Sequence, residues 1–285
     1  MSIGESSVVV VGAGISGVAC ARELQGAGFD VVVLDRGRVV GGRMARWTRE
    51  DRAIDVGAAY FTVRSAAFSE LAESWATRGL AHPWTDAFTV SRGGAGPVTE
   101  SDGPVRWGTE NGLRSLVEDL AEGLDVRLEH EVGSVGVNEV SPVLDGRPVR
   151  ALVLAMPDPQ ALDLLDADAA AVLGMHDVLD PTWQPVVTVV AAFPERTWRG
   201  LDAMFVHDSP VSLVVDDGRR RGDGAPVLVV HTTHETAAAH LDDPSTVVPV
   251  VLDEVRRLLG DVGEPAWVEV KRWGSAEPRT PRSRT

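Results

Sequence analysis

"SSVVVVGAGISGVACARELQGAGFDVVVLDRG" (Ser6–Gly37) is the stretch on which the fold turns. Val8 to Val11 is an unbroken β-branched run, the pattern of a parallel strand buried on both faces. Gly12, Gly14 and Gly17 follow as G-x-G-x-x-G. A helix is expected next, with Val18, Ala21 and Leu24 on one face and Gly26 and Gly28 at its end. Val31 to Leu34 reads as a second buried strand, closed by Asp35. Each part has a physical task. Gly12 allows the tight turn, Gly14 lets backbone approach a pyrophosphate, and Gly17 lets helix and strand pack closely. The helix N-terminus presents N–H groups and a partial positive charge to the phosphates. Asp35, 18 residues past Gly17, is placed to accept hydrogen bonds from a ribose hydroxyl pair. An acid at this position favours a ribose without a 2′-phosphate.

The rest of the composition narrows the class. With 285 residues, the chain can bury a sizeable core in one large domain or two intimate ones. Its 27 basic and 42 acidic residues leave a net charge of −15, which repels nucleic acid and anionic lipid. No apolar run approaches the roughly 20 residues of a membrane span. "MSIGESSVVVVGAG" has no basic leader region and enters a strand at once, so no signal peptide is expected. The one cysteine, Cys20, excludes an internal disulfide, fits a reducing cytoplasm, and reads as a small packing residue of the first helix.

The fingerprint alone does not choose between NAD and FAD. The next stretch, "VVGGRMARWTREDRAIDVGAAYFT" (Val39–Thr62), does. A plain NAD domain enters a helix soon after its second strand. Here Gly41 and Gly42 let backbone pass close to a ligand, and Arg43 adds a planar, forked cation suited to phosphate oxygens or an electron-rich ring. A short strand, Ala53 to Val56, follows. Asp55 is placed to tie loops together, and Gly57 with Ala58 leaves room for a flat ring.

Taken together, G-x-G-x-x-G, the acid after the second strand, G-G-R-M and D-x-G-A-x-Y-F-T resemble the renalase-like branch of the FAD-dependent amine oxidase superfamily. The resemblance continues through "PVRWGTENGLRSLVEDLAEGLDVRLEHEVGSV", "ALVLAMPDPQA", "VLVVHTTHETAAAHL" and "VEVKRWGSAEP", almost the whole chain. It implies flavin contacts from Gly14, Ser16, Asp35, Arg43, Ala59 and Tyr60, adenine contact near Val132, and Ala155 beside the pyrophosphate. Members commonly carry Gln just before the tyrosine; this chain has Ala59, so a side-chain amide is absent there. The full cofactor set is Gly12, Gly14, Ser16, Gly17, Asp35, Arg36, Gly42, Arg43, Ala59, Tyr60, Val132 and Ala155.

Further along, a helix is expected over residues 64–80, from Phe68, Leu71 and Trp75. Ala87 to Gly108 is turn-rich and suggests hairpins of an antiparallel sheet. Asn111-Gly112 opens a helix from Leu113 to Ala121, and strands are expected at 126–128, 132–137 and 149–156, with a helix from Gln160. Residues 183–193, 204–207, 211–215 and 227–233 read as further strands of the second sheet. Trp107, Trp183 and Trp198 are candidates for stacking on a flat substrate, with core packing as the alternative. His231 and His234 form H-x-x-H on a strand end, pointing to opposite faces. No third ligand accompanies them, so no metal is expected, and His231 is the candidate proton relay.

The expected architecture is α/β: a Rossmann-type FAD-binding domain with an inserted antiparallel β-sheet substrate domain. FAD binding is assigned to 1–80 and 107–165, and the substrate domain to 81–106 and 166–266. Residues 267–285 are assigned to a shortened return to the FAD domain and a disordered tail. The Gly-Asp segment that the resemblance leads one to expect is not found there, and "RTPRSRT" has no apolar period. The resemblance implies an FAD-dependent oxidase that takes hydride from a reduced small molecule, with isomeric dihydro-NAD(P) as first substrate, oxygen as acceptor and hydrogen peroxide as product. No single acid or base is singled out, because the flavin carries the chemistry. The alternatives are a flavin amine oxidase, a non-catalytic relic with weak FAD binding and, more weakly, an NAD-dependent dehydrogenase.

Overall fold

Residues 3–92 and 99–280 are described by a computed structural model. The chain divides into two units. The first comprises residues 1–44, 114–183 and 277–285, the second 45–113 and 184–276. These boundaries differ from those read off the sequence. Residues 45–80 and 107–113 fall in the second unit, as does most of the strand Trp267–Pro278, while 166–183 fall in the first. Part of the reason is pairing: Phe61–Thr62 is hydrogen-bonded to Thr99–Gly108, and Trp267–Pro278 lies beside Trp183–Ala192.

The first unit is built on a four-stranded sheet in the order Ala151–Leu154, Val8–Val11, Val31–Leu34, Asp125–Arg127, parallel throughout. The two valine-rich strands are buried at every residue, as a sheet covered on both faces requires. Helix Ile15–Gly26 connects them and buries Gly17, Val18 and Ala21. Helix Arg114–Ala121 packs on it and buries Leu116, Val117 and Leu120. A separate three-stranded antiparallel sheet (Val135–Val137, Pro142–Leu144, Arg147–Pro148) carries the residues expected to continue the main sheet. Val132 precedes that sheet in a loop rather than in a strand, though it is buried with Val9, Val11 and Leu34.

The second unit is built on an eight-stranded sheet. Its order is Trp267–Pro278, Trp183–Ala192, Val227–Thr232, Val211–Asp216, Ala203–His207, His82–Arg92, Thr99–Gly108, Phe61–Thr62. It is not wholly antiparallel: Ala203–His207 runs parallel to His82–Arg92, where strands from two distant parts of the chain meet. The sheet has two apolar faces. One packs Val187, Val189, Leu228 and Val230 under helix Val248–Leu259; the other packs Val190, Val227, Val229 and Leu213 with Ile54, Ala59 and Phe88. Alternation along each strand produces this division. Helix Ala66–Thr77, capped by Ser65, is shorter than expected and buries Ala72 and Trp75. Residues 281–285 of the expected disordered tail lie outside the described residues.

The Asp55–Val56–Gly57 turn is held by buried charge. Asp55 Oδ1 accepts from the Leu113 amide (2.8 Å), and Oδ2 meets Arg220 Nη1 and Arg221 Nη2, each at 2.8 Å. Asp217 pairs with Arg220, with Arg221 Nε (3.1 Å) and with Arg52 Nη1 (2.7 Å). Arg220 also donates to the Ala59 carbonyl, and Arg221 to the Thr109 and Glu110 carbonyls. Asp55, Asp217 and Arg220 are essentially inaccessible to solvent. Such a cluster persists because its charges satisfy one another, and removing one member strands the rest. Burial alone would raise the Asp217 pKa, but Arg220, Arg221 and Arg52 outweigh it and hold the carboxyl below the usual range. Arg220→Met is expected to lower stability by about 3–5 kcal/mol in urea unfolding; a loss under about 1 kcal/mol would show that the cluster does not hold the turn. A depressed carboxyl pKa gives stability that is present above the unfolded value of about 3.9 and is lost as pH falls below it. Asp217→Asn should therefore flatten the acid limb of the stability profile, and an unchanged limb would contradict this.

Candidate functional site

Of the three fingerprint glycines, Gly12 and Gly17 leave no room for a side chain, whereas a Cβ on Gly14 would only touch Gly42 Cα at 3.9 Å. Gly12 has φ +110°, and a Cβ there would lie 2.6 Å from the Ala155 carbonyl oxygen. A Cβ at Gly17 would lie 1.9 Å from the Gly12 oxygen and 3.0 Å from Ala155 Cβ. Ala155 closes the turn from its strand side, donating its amide to Val11 O at 2.8 Å. The G-G-R-M stretch returns to this turn. The Gly41 amide donates to Ala13 O (2.9 Å), and Gly14 and Gly41 form a parallel bridge. Gly41 holds φ +120°, and a Cβ on Gly42 would lie 3.2 Å from Gly14 Cα. Two bare backbones thus meet at the start of helix Ile15–Gly26, whose cap residue Gly14 provides no side-chain hydrogen bond. Ser16 is exposed on the first turn of that helix.

Asp35 stands at the end of the second strand. Its Oδ2 accepts from the Ala13 amide and its Oδ1 from the Gly37 amide, both at 2.6 Å. The carboxylate therefore fastens the glycine turn, and its remaining lone pairs stay available to hydroxyl donors. Beside it lies a cavity of about 260 Å³ lined by Gly12, Asp35, Arg36 and Val132, four of the residues singled out in the sequence. His130, Glu131, Met156 and Gln160 also line it. Only backbone pairing brings the first two there: the His130 amide donates to Asp35 O at 2.9 Å. Their lack of periodicity left no signal to read.

Arg43 is exposed, and its guanidinium carbon lies 5.0 Å from the centroid of the Trp183 ring. Ala59 and Tyr60 belong to the second unit. Ala59 is buried with its carbonyl on Arg220, and Tyr60 meets Phe88 edge-on at 5.3 Å. Trp198 is a core residue whose Nε1 donates to Asp216 Oδ2 (2.7 Å), and Trp107 stacks on Phe61 at 5.9 Å. His231 lies in strand Val227–Thr232, one residue before its end, whereas His234 begins helix His234–Ala239, so they are not two faces of one strand. Among the described residues no group of three or more His, Cys, Asp or Glu could hold a metal. Burial, with Arg220 second, lowers the His231 pKa to about 4. That is too low for a proton relay near neutrality, so this imidazole stays neutral there. Arg220 and Arg221, from "DDGRRRGDG", were not anticipated; a run of three arginines reads as a solvated surface, and only the fold shows two of them buried.

Two family models match the chain, and each spans parts of both units. Residues 10–75 match the NAD(P)-binding Rossmann-like domain, and residues 96–284 match the family described as flavin containing amine oxidoreductase. Polyamine oxidase 1 of Oryza sativa subsp. japonica is 36% identical over 116 residues, 33% of this chain and 23% of that protein. A possible lysine-specific histone demethylase 1 of Drosophila melanogaster is 47% identical over 55 residues, 19% of this chain and 6% of that protein. The chain thus matches less than a quarter of the length of these curated relatives. A putative protoporphyrinogen oxidase from Exiguobacterium sp. 255-15 superposes with TM-score 0.77 at 15% identity, covering 97% of this chain and 88% of that one. Putrescine oxidase bound to putrescine superposes with TM-score 0.73 at 18% identity, covering 98% and 87%. No helix of the described residues is long and apolar enough to cross a membrane. With a family match over residues 96–284, more than half of its length, this chain belongs to the flavin-containing amine oxidoreductases.

Proposed function

We propose that the chain is an FAD-dependent oxidoreductase that takes hydride from a reduced small molecule and passes the electrons to oxygen. The family implies FAD as the cofactor. The observation that carries the reading is the meeting of Gly14 with Gly41 and Gly42, with no side chain in the gap, beside an uncapped helix start and Asp35. A bare backbone, a helix N-terminus and a carboxylate are the donor and acceptor set that a pyrophosphate flanked by ribose requires. The cavity beside Asp35, Arg36 and Val132 has the place and lining suited to the adenosine end. A cofactor could therefore be held by Gly12, Gly14, Ser16, Gly17, Asp35, Arg36, Gly42, Arg43, Val132 and Ala155 of the first unit. Ala59 and Tyr60 are proposed as flavin contacts on the strength of the sequence resemblance.

When bound, the flavin supplies the hydride acceptor. The protein's part is positioning. Asp35 keeps the fingerprint turn closed through the Ala13 and Gly37 amides, and Asp55 with Arg220 keeps the Gly57–Ala59 turn in place. No residue is proposed as an indispensable acid or base. Two substrate classes fit this reading. Isomeric dihydro-NAD(P) follows from the sequence resemblance. Amines follow from the relatives: the names polyamine oxidase and putrescine oxidase carry that chemistry. A cytoplasmic location, suggested by the single cysteine, belongs to the same proposal.

Asp35→Ala is expected to weaken FAD binding by tenfold or more, about 1.4 kcal/mol, in isothermal titration, while Asp35→Asn retains part of it. Equal affinity of Asp35→Ala and the parent chain would remove Asp35 from the site. Anaerobic mixing of the FAD-loaded protein with 2- and 6-dihydro-NAD(P) and with putrescine, spermidine and benzylamine separates the substrate classes. Bleaching of the flavin by one class alone assigns it, and bleaching by none contradicts the proposed activity.

A further inference from the structure

On the second unit's sheet, Thr188 and His231 are directly paired across strands Trp183–Ala192 and Val227–Thr232. Directly paired residues project to the same face, so alternation places both with Val190 and Val229, on the face that packs Ala59, Tyr60, Trp84 and Phe88. Thr188 is completely buried, yet its Oγ1 has no hydrogen-bond partner among the described residues. His231 Nε2 and Trp84 Nε1 are likewise enclosed and unpartnered. Buried polar atoms are nearly always satisfied, and two orphans at one register position call for a third group that pairs with both. Their chemistry limits that group. A hydroxyl both donates and accepts, and so does a neutral imidazole through one of its tautomers. Arg220, itself buried, sets a positive charge against His231.

We propose that Thr188 and His231 form a recognition subsite for an uncharged hydrogen-bonding group, such as a carboxamide, a hydroxyl or an amine in its free-base form, and that it discriminates against an ammonium ion. An ammonium offers donors only, would leave the hydroxyl proton without an acceptor, and would lie near the Arg220 cation. The assignment rests on the reading of the second unit as the substrate-binding part. It adds a charge-state requirement to that reading: a dihydronicotinamide carboxamide meets it directly, and an amine meets it only after losing its proton.

The test uses the full chain with benzamide and benzylammonium, matched in ring and size, at neutral pH in isothermal titration. Benzamide should bind about tenfold or more tightly than benzylammonium. Thr188→Val and His231→Phe should each cost up to about tenfold in benzamide affinity, and Thr188→Ser should keep it. Melting temperatures should stay level or rise, since each variant removes an unpaired buried group. Equal binding of the two probes, no binding of benzamide, or variants that bind it like the parent chain would overturn the assignment. Flavin absorbance on the same samples separates the two levels. Flavin retained without benzamide selectivity defeats the subsite alone, and benzamide selectivity without flavin defeats the cofactor reading alone.

Discussion

One hydrogen bond, from the Gly41 amide to the Ala13 carbonyl at 2.9 Å, organises the first unit. It fixes the G-G-R-M stretch against the fingerprint turn, where Gly41 and Gly42 hold positive φ and a Cβ on Gly42 would lie 3.2 Å from Gly14 Cα. Ala155 fills the space under the turn because Gly12 and Gly17 carry no Cβ, and Asp35 fastens the turn through the Ala13 amide. A side chain at Gly12 or Gly17 would run into Ala155 or the turn itself, and one at Gly42 would crowd Gly14 from the G-G-R-M side.

The second unit answers a different constraint. Its turn at Gly57–Ala59 is held by buried arginines that donate to backbone carbonyls. Arg220 links the Ala59 carbonyl, Asp55 and Asp217, while Arg221 links Asp55 to the carbonyls of Thr109 and Glu110. Fully buried charges are costly unless paired, so this network holds the turn in one arrangement at the expense of tolerance to substitution. Burial first, and Arg220 second, lower the pKa of the neighbouring His231 to about 4, so the imidazole is neutral near pH 7.

Much of the first unit was legible in the sequence because its signals are local. Val8–Val11 and Val31–Leu34 are recognisable from composition alone, and the glycines lie within six residues of each other. Asp55 also read correctly as a tie between loops, since an acid inside an apolar strand needs partners. The partners themselves did not read. Arg220 lies far along the chain in a polar run, and no periodicity distinguishes a buried arginine from a solvated one. Strand boundaries shifted for a related reason: Val132 looked like strand by composition, but the sheet's edge at Asp125–Arg127 left it in a loop. The parallel junction between Ala203–His207 and His82–Arg92 is set by chain connectivity, which local pattern does not encode.

The central claim is that the junction of Gly14 with Gly41 and Gly42 forms a flavin dinucleotide site. The most direct measurement is a visible absorbance spectrum of the purified chain after incubation with FAD and desalting. The account predicts a retained oxidised-flavin band, lost in a Gly14→Val chain that remains folded by circular dichroism. A folded parent chain that retains no flavin band would contradict it.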